Sequence, residues 1–181
     1  MSVVTKTGDK GQTSVYDAKS GKTLRVAKDS AQIEAIGTID ELNSYIGVIT
    51  SEVSNTDVDK KLRNIQKELF TIGSILAGSE LAFAGSRAKR LETQIEKMEH
   101  LLPTLANFIL PGGEPLAAKC MYARALARRA ERSVIAYGNF AYVKKPIRTY
   151  LNRLSDYLFV MSRMINSDAG DVEQLWIGRR R

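Results

Sequence analysis

"IEAIGTIDELNSYIGVI", Ile33 to Ile49, sets Ile33, Ile36, Ile39, Leu42, Ile46 and Ile49 at intervals of three and four. That recurrence draws one apolar stripe along a helix, where a strand would alternate. The same signature returns in Val58, Leu62, Ile65, Leu69, Ile72 and Leu76, a second helix. A shorter third runs from Ser86 to His100, with Leu91, Ile95 and Met98 inward, Ser86 as a candidate cap and Pro103 just past its end. "FILPGGEP", Phe108 to Pro115, then interrupts any helix. A fourth helix is predicted from about Leu116 to Tyr137, ending near Gly138, and a fifth from about Pro146 to Asn166, with Pro146 suited to a first turn. No period-two segment is long enough to dominate. The expectation is therefore all-α: an up-and-down bundle of five helices, with little strand. Ala117, Ala118, Ala123, Ala125, Ala127 and Ala130 make the fourth helix one that its neighbours can approach closely.

Working outward, 181 residues fit a single domain over 1–181, with an N-terminal loop over 1–30, the bundle over 31–168 and a flexible C-terminal tail. An apolar fraction of 44% and a charged fraction of 26% belong to an ordinary globular chain rather than a disordered one. No apolar run approaches the roughly 18 residues of a membrane span, and the N-terminus lacks a signal-peptide pattern, so a cytoplasmic protein is expected. A lone cysteine, Cys120, permits no intrachain disulfide or zinc site and reads as a small buried residue. The formal charge of +7 suits an anionic partner, part of it lying in the final "GRRR", where fraying is expected.

Chemistry concentrates in "YARALARRAERS", Tyr122 to Ser133. Arg124, Arg128 and Arg132 follow at i, i+4 and i+8, and Glu131 comes three residues after Arg128 on the same side. Guanidinium forks match phosphate oxygens, and a carboxylate among them can hold magnesium that also touches the phosphates. The same spacing also describes a solvated, salt-bridged helix face. Asp40 follows the stripe residue Ile39 and so lies close to the apolar face. A buried carboxylate needs a partner. Arg124 is a candidate, and breaking such a buried pair would cost ~3–5 kcal/mol. Glu41 is an equal candidate for the inward acid, and an ordinary surface carboxylate is the plain alternative.

"TKTGDKGQT", Thr5 to Thr13, lacks P-loop spacing. Gly8 and Gly11 would still let backbone amides approach an anion, with charge from Lys6 and Lys10, hydroxyls from the threonines and Lys28 of "RVAKDS" extending the cradle. A disordered terminus is the competing expectation. His100 reads as a helix-end residue, no Ser/His/Asp or Cys/His constellation can be assembled, and Trp176 reads as a packing anchor.

In order along the chain, "TKTGDKGQT", "RVAKD", "EAIGTIDELNSYIG", "FILPGG", "ARALARRAER" and "YLNRLSDYLFVMSR" resemble the PduO-type ATP:cob(I)alamin adenosyltransferases, from about Val4 to Asn166. The middle, from about Asn55 to Leu105, matches only in helical character. The resemblance implies a ferritin-like, cobalamin adenosyltransferase-like bundle with an N-terminal nucleotide-binding loop. It also implies a homotrimer that binds ATP and the corrinoid between subunits. By that resemblance Thr5, Lys6, Thr7, Gly8, Thr13, Ser14 and Lys28 contact ATP, Arg128 and Arg132 hold its polyphosphate, Glu131 stands near Mg2+ and Asn152 meets the nucleoside. Asp40 and Arg124 match an intersubunit ion pair, and Phe108 matches the ring that occupies the corrinoid's vacated lower axial face. The implied reaction is attack of cob(I)alamin on the 5′ carbon of ATP, releasing triphosphate. A corrinoid reductase and an adenosylcobalamin-dependent enzyme are the implied protein partners. Met121 departs from the pattern, standing where many relatives carry histidine. Two other readings are a corrinoid carrier or nucleotide sensor on the same fold, and a basic bundle that binds nucleic acid. The arginine helix has no interleaved aromatics and the chain no helix-turn-helix spacing, which disfavours the last.

Overall fold

The computed structural model describes Val4, 6–18 and 20–178. Five helices form the body: α1 (Ala31–Thr50), α2 (Thr56–Leu76), α3 (Ser86–Glu99), α4 (Pro115–Tyr137) and α5 (Lys145–Asp168). The predicted stripes become the core. Ile39, Leu42, Ile46 and Ile49 of α1 and Leu62, Leu69 and Ile72 of α2 are essentially without solvent contact, as are Ile147, Leu151, Leu154 and Leu158 of α5. Side by side the helices run α2, α1, α4, α5, α3. Glu68 of α2 closes the ring, pairing with Arg90 and, at 4.0 Å, with Arg87 of α3. It is a nearly buried carboxylate, compensated by two guanidinium groups from another helix.

Helix starts follow local chemistry. Ser30 Oγ accepts from the Ile33 amide, and Asn55 Oδ1 accepts from the amides of Asp57 and Val58, capping α1 and α2. Pro115 and Pro146 occupy first turns, where a missing N–H costs nothing. Ser86 departs from expectation: it is the first helical residue of α3, and Gly85 precedes it without a side-chain cap bond.

Two antiparallel strand pairings were not expected. Within the segment read as a loop, β1 (Gln12–Asp17) pairs antiparallel with β2 (Lys22–Ala27), Thr13 opposite Val26 and Val15 opposite Leu24. Val15 is buried while its neighbours Ser14 and Tyr16 are exposed, a period-two pattern too short to stand out in the sequence. Near the other end of the bundle β3 (Phe108–Ile109) pairs with β4 (Leu175–Trp176). The segment after α5 is thus tied back to the body rather than running free as a tail. Arg179, Arg180 and Arg181 lie outside the described residues. Among those described, no helix is long and apolar enough to cross a membrane.

The β1–β2 hairpin docks on the end of α2 at Gly78. The Ala18 amide donates to Gly78 O at 3.3 Å. Gly78 has φ +107, and a Cβ there would stand 2.2 Å from the Tyr16 carbonyl oxygen. Gly78→Ala is therefore expected to lower stability by at least about 1 kcal/mol in urea unfolding, and to expose the hairpin to limited proteolysis. Cys120 is fully buried, and burial pushes its thiol up to about 12. Folding thus favours the neutral thiol: this contribution is complete below the unfolded value near 9 and is lost as pH climbs toward the folded one. Native protein at pH 8 is expected to resist a thiol-specific disulfide reagent that reacts at once after denaturation.

Candidate active site

Helix α4 places its alanines inward. Ala117, Ala123, Ala127 and Ala130 are fully buried between α1 and α5, so Arg128 and Arg132 face out and Arg124 lies half-buried at the edge. The Arg124 guanidinium carbon stands 5.3 Å from the centre of the Phe159 ring, a cation–π contact from α5. Arg124 and Arg128 line an open cavity of about 370 Å³. Its other walls include Glu92, Glu96 and Glu99 of α3 and Arg153, Asp156 and Phe159 of α5. Arg132 does not line it. The expected column of three guanidinium groups therefore splits into two in the groove and one on the open surface.

Glu131 turns away from that column toward α5, since three residues along a helix fall about 60° short of a full turn. Asn152 Nδ2 donates to its Oε1 at 3.1 Å. Arg153 donates to Asn152 Oδ1 and pairs with Asp156 at 3.1 Å. The expected acid and the expected nucleoside contact are thus brought together, and Arg153 joins them. Arg153 and the three α3 glutamates were not among the candidates from sequence. The glutamates' i, i+4, i+7 spacing was the one available signal, and it describes a solvated face equally well.

Asp40 corrects an expectation. One residue past the stripe is a rotation of about 100°, enough to carry Asp40 to the exposed surface while Ile39 is buried. Within one chain Asp40 does not meet Arg124, so no buried intrachain pair forms. Glu41 is exposed too, and pairs across to Arg129 of α4. Among the described residues, the side chains of Asp40, Arg128 and Arg132 have no hydrogen bond or ion pair in their own chain.

At the N-terminus the glycine loop is ordered around two basic side chains. Gly11 N donates to Gly8 O at 3.3 Å, and the Lys28 amide donates to Gly11 O at 2.9 Å. Lys28 Nζ lies against Gly8, 3.2 Å from where a Cβ would stand. Lys28 is thereby placed at the loop as the sequence suggested. Lys6 holds φ +58, an uncommon backbone for a residue with a side chain. Arg25, passed over in the sequence, does most of the fastening. Its Nη1 donates to Ser14 Oγ at 2.9 Å, and its Nη2 donates to the carbonyls of Thr7 at 2.7 Å and Gln12 at 3.2 Å. Thr13 is half-buried on β1, and Thr5 lies outside the described residues. The hairpin docks on the end of α2, whereas the arginines ride on α4.

The opposite feature is apolar. Phe108 is 78% exposed and meets the Trp176 ring edge-on at 6.4 Å. Trp176 is itself half-exposed, and it packs at the surface, against Phe108. With Leu105, Ala106, Asn107, Ile177 and Gly178 they border an open cavity of about 690 Å³. His100 sits exposed at the end of α3, as expected, and lines neither cavity.

Comparison with known proteins points to one family. The cobalamin adenosyltransferase family matches residues 3–165. A corrinoid adenosyltransferase of Bacillus subtilis is 41% identical over 183 residues, covering 96% of this chain and 92% of its own. A cobalamin adenosyltransferase of Cupriavidus metallidurans is likewise 41% identical, over 96% of this chain and 93% of its own. Among solved structures, a Phe-to-Ala variant of a PduO-type ATP:corrinoid adenosyltransferase from Lactobacillus reuteri, complexed with cobalamin and ATP, superposes with a TM-score of 0.89. It is 30% identical and covers 98% of this chain and all of its own. The five-helix body, the arginine-bearing α4 and the matched span together make this chain a member of the cobalamin adenosyltransferase family.

Proposed function

We propose that this protein transfers the 5′-deoxyadenosyl group of ATP to cob(I)alamin, giving adenosylcobalamin and triphosphate. The observation that carries the reading is the pair of outward guanidinium groups, Arg128 and Arg132, that form no ion pair among the described residues, beside the Glu131–Asn152 pair. Such a surface awaits a polyanion. The Asp40 side chain likewise has no partner among the described residues, and the hairpin that follows the glycine loop docks on α2. Both features fit a homotrimer in which ATP and corrinoid lie between subunits and Asp40 of one copy pairs with Arg124 of the next.

The reaction asks little acid–base work of the protein. The Co(I) electron pair attacks C5′, the Co–C bond forms as the C5′–O5′ bond breaks, and that bond's electrons leave with triphosphate. No proton moves, so the lack of a histidine base is no obstacle. The residues orient the two substrates and neutralise the departing charge. Arg128 and Arg132 hold the polyphosphate, with Lys6, Lys28 and the amides around Gly8 closing over it and Thr5, Thr7, Thr13 and Ser14 adding hydroxyl and backbone contacts. Asn152 fixes the nucleoside. Glu131 would hold Mg2+ through Oε2, since its Oε1 accepts from Asn152, and one carboxylate suits a magnesium site. Bound there, the ion would add further neutralisation. Phe108, open to solvent and backed by Trp176, presents a face that displaces the lower axial ligand and keeps water from cobalt.

Anaerobic mixing of the protein with chemically reduced cob(I)alamin, ATP and magnesium should give ATP-dependent loss of the cob(I)alamin absorbance and a light-sensitive product. Arg128→Ala is expected to cut kcat/KM roughly 10²–10³-fold with the fold intact. ATP-independent absorbance in a folded parent would instead indicate a carrier or sensor. Arg25→Ala should act on nucleotide binding, raising KM for ATP about tenfold with a smaller effect on kcat, since it frees the loop rather than touching the reacting atoms.

A further inference from the structure

The segment that presents Phe108 has almost no apolar anchoring. Residues 103–108 are exposed, and a cavity of about 400 Å³ lies between 102–107 and the returning segment 171–175. Burial does not hold this loop in place, so polar contacts must.

Those contacts converge on the last turns of α5. Asn166 is 5% exposed; its Oδ1 accepts from the Glu114 amide at 3.0 Å, and its Nδ2 donates to Gly112 O at 3.2 Å. It thereby spans the turn "LPGG" from both sides. The second glycine is needed for that: Gly113 has φ +92, and a Cβ on it would stand 2.3 Å from Asn166 Oδ1. One turn earlier Arg163, also 5% exposed, donates to both carboxylate oxygens of Glu173, at 2.6 and 3.2 Å, and to Pro103 O at 2.9 Å. Glu173 belongs to the segment leading into β4. The Leu110 amide then donates to Gln174 O at 2.8 Å, and Trp176 comes to rest opposite Phe108.

We propose that Asn166 and Arg163 form a clamp that positions Phe108 for release of the corrinoid's lower axial ligand, a proposal that rests on the function stated above. Neither touches the reacting atoms; both act through the loop and strand they fasten. Loosening the clamp leaves Phe108 on a longer, softer tether, and a ring that must press on one face of a macrocycle loses its purchase.

The test uses cob(II)alamin with saturating ATP and reads by electron paramagnetic resonance the fraction that has lost its lower ligand. The variants are Asn166→Ala, Asn166→Asp and Glu173→Gln, with Phe108→Ala as the reference for complete loss. Trp176 is the only tryptophan, so its fluorescence reports the clamp without any substrate. Asn166→Ala and Asn166→Asp are expected to lower the released fraction at least fivefold and to raise acrylamide quenching of Trp176. ATP affinity should stay within twofold. Glu173→Gln, which changes a carboxylate of the returning segment without removing a buried side chain, should move both readouts the same way by a smaller amount, and carries the test if the Asn166 variants do not fold. Folded variants with the parent's released fraction and Trp176 quenching would overturn the clamp. No release in the parent would instead overturn the role of Phe108 itself, a failure visible before any variant is made.

Discussion

The close approach of α1 and α5 to the alanine face of α4 is the contact on which the rest depends. Because Ala117, Ala123, Ala127 and Ala130 have no bulk to hold the neighbours off, α4 is gripped on two sides, and its remaining faces are fixed in direction. A helix held that tightly converts a sequence spacing into a spatial one. Arg128 and Arg132 project outward, Arg124 lies over Phe159, and Glu131 is delivered to Asn152 on the neighbouring helix. Larger residues on that face would push α4 away and move every charged group it carries.

The loops at the ends of the bundle obey a different rule. Neither the glycine loop nor the Phe108 loop brings enough apolar surface to be held by the core, and each is fastened by a buried or backbone-directed polar side chain instead. Arg25 gathers Thr7, Gln12 and Ser14, while Asn166 and Arg163 gather Gly112, Glu114, Pro103 and Glu173. Glycines with positive φ, Gly78 where the β1–β2 hairpin docks and Gly113 beside Asn166, let backbone or side chain approach more closely than a Cβ permits. Loops held by hydrogen bonds rather than by packing can shift without disturbing the core.

How legible the chain was depended on the range of the interaction. The helices could be read because an apolar stripe is a local pattern: Ile39, Leu42 and Ile46 report their own burial whatever lies opposite. The arginines of α4 and the TKTGDKGQT loop were legible as candidates because charge and glycine spacing are local as well. Arg25 and Asn166 were not, since their partners lie 11 to 18 and 52 to 54 residues away and nothing in their immediate neighbours announces the bond. The strands escaped notice because two residues of β3 meet two of β4 across the length of two helices, too short a run for any periodicity to register.

By itself the sequence determined the five helices, their inward faces, the family to which the chain belongs and the candidates for a polyphosphate site. Only the tertiary structure decided where those residues point. Asp40 and Glu41 show why: both follow the same buried isoleucine, yet Glu41 reaches Arg129 on α4 while Asp40 faces outward. A difference of 100° about the helix axis chooses the partner, and that angle acquires meaning only once a second helix has been packed alongside.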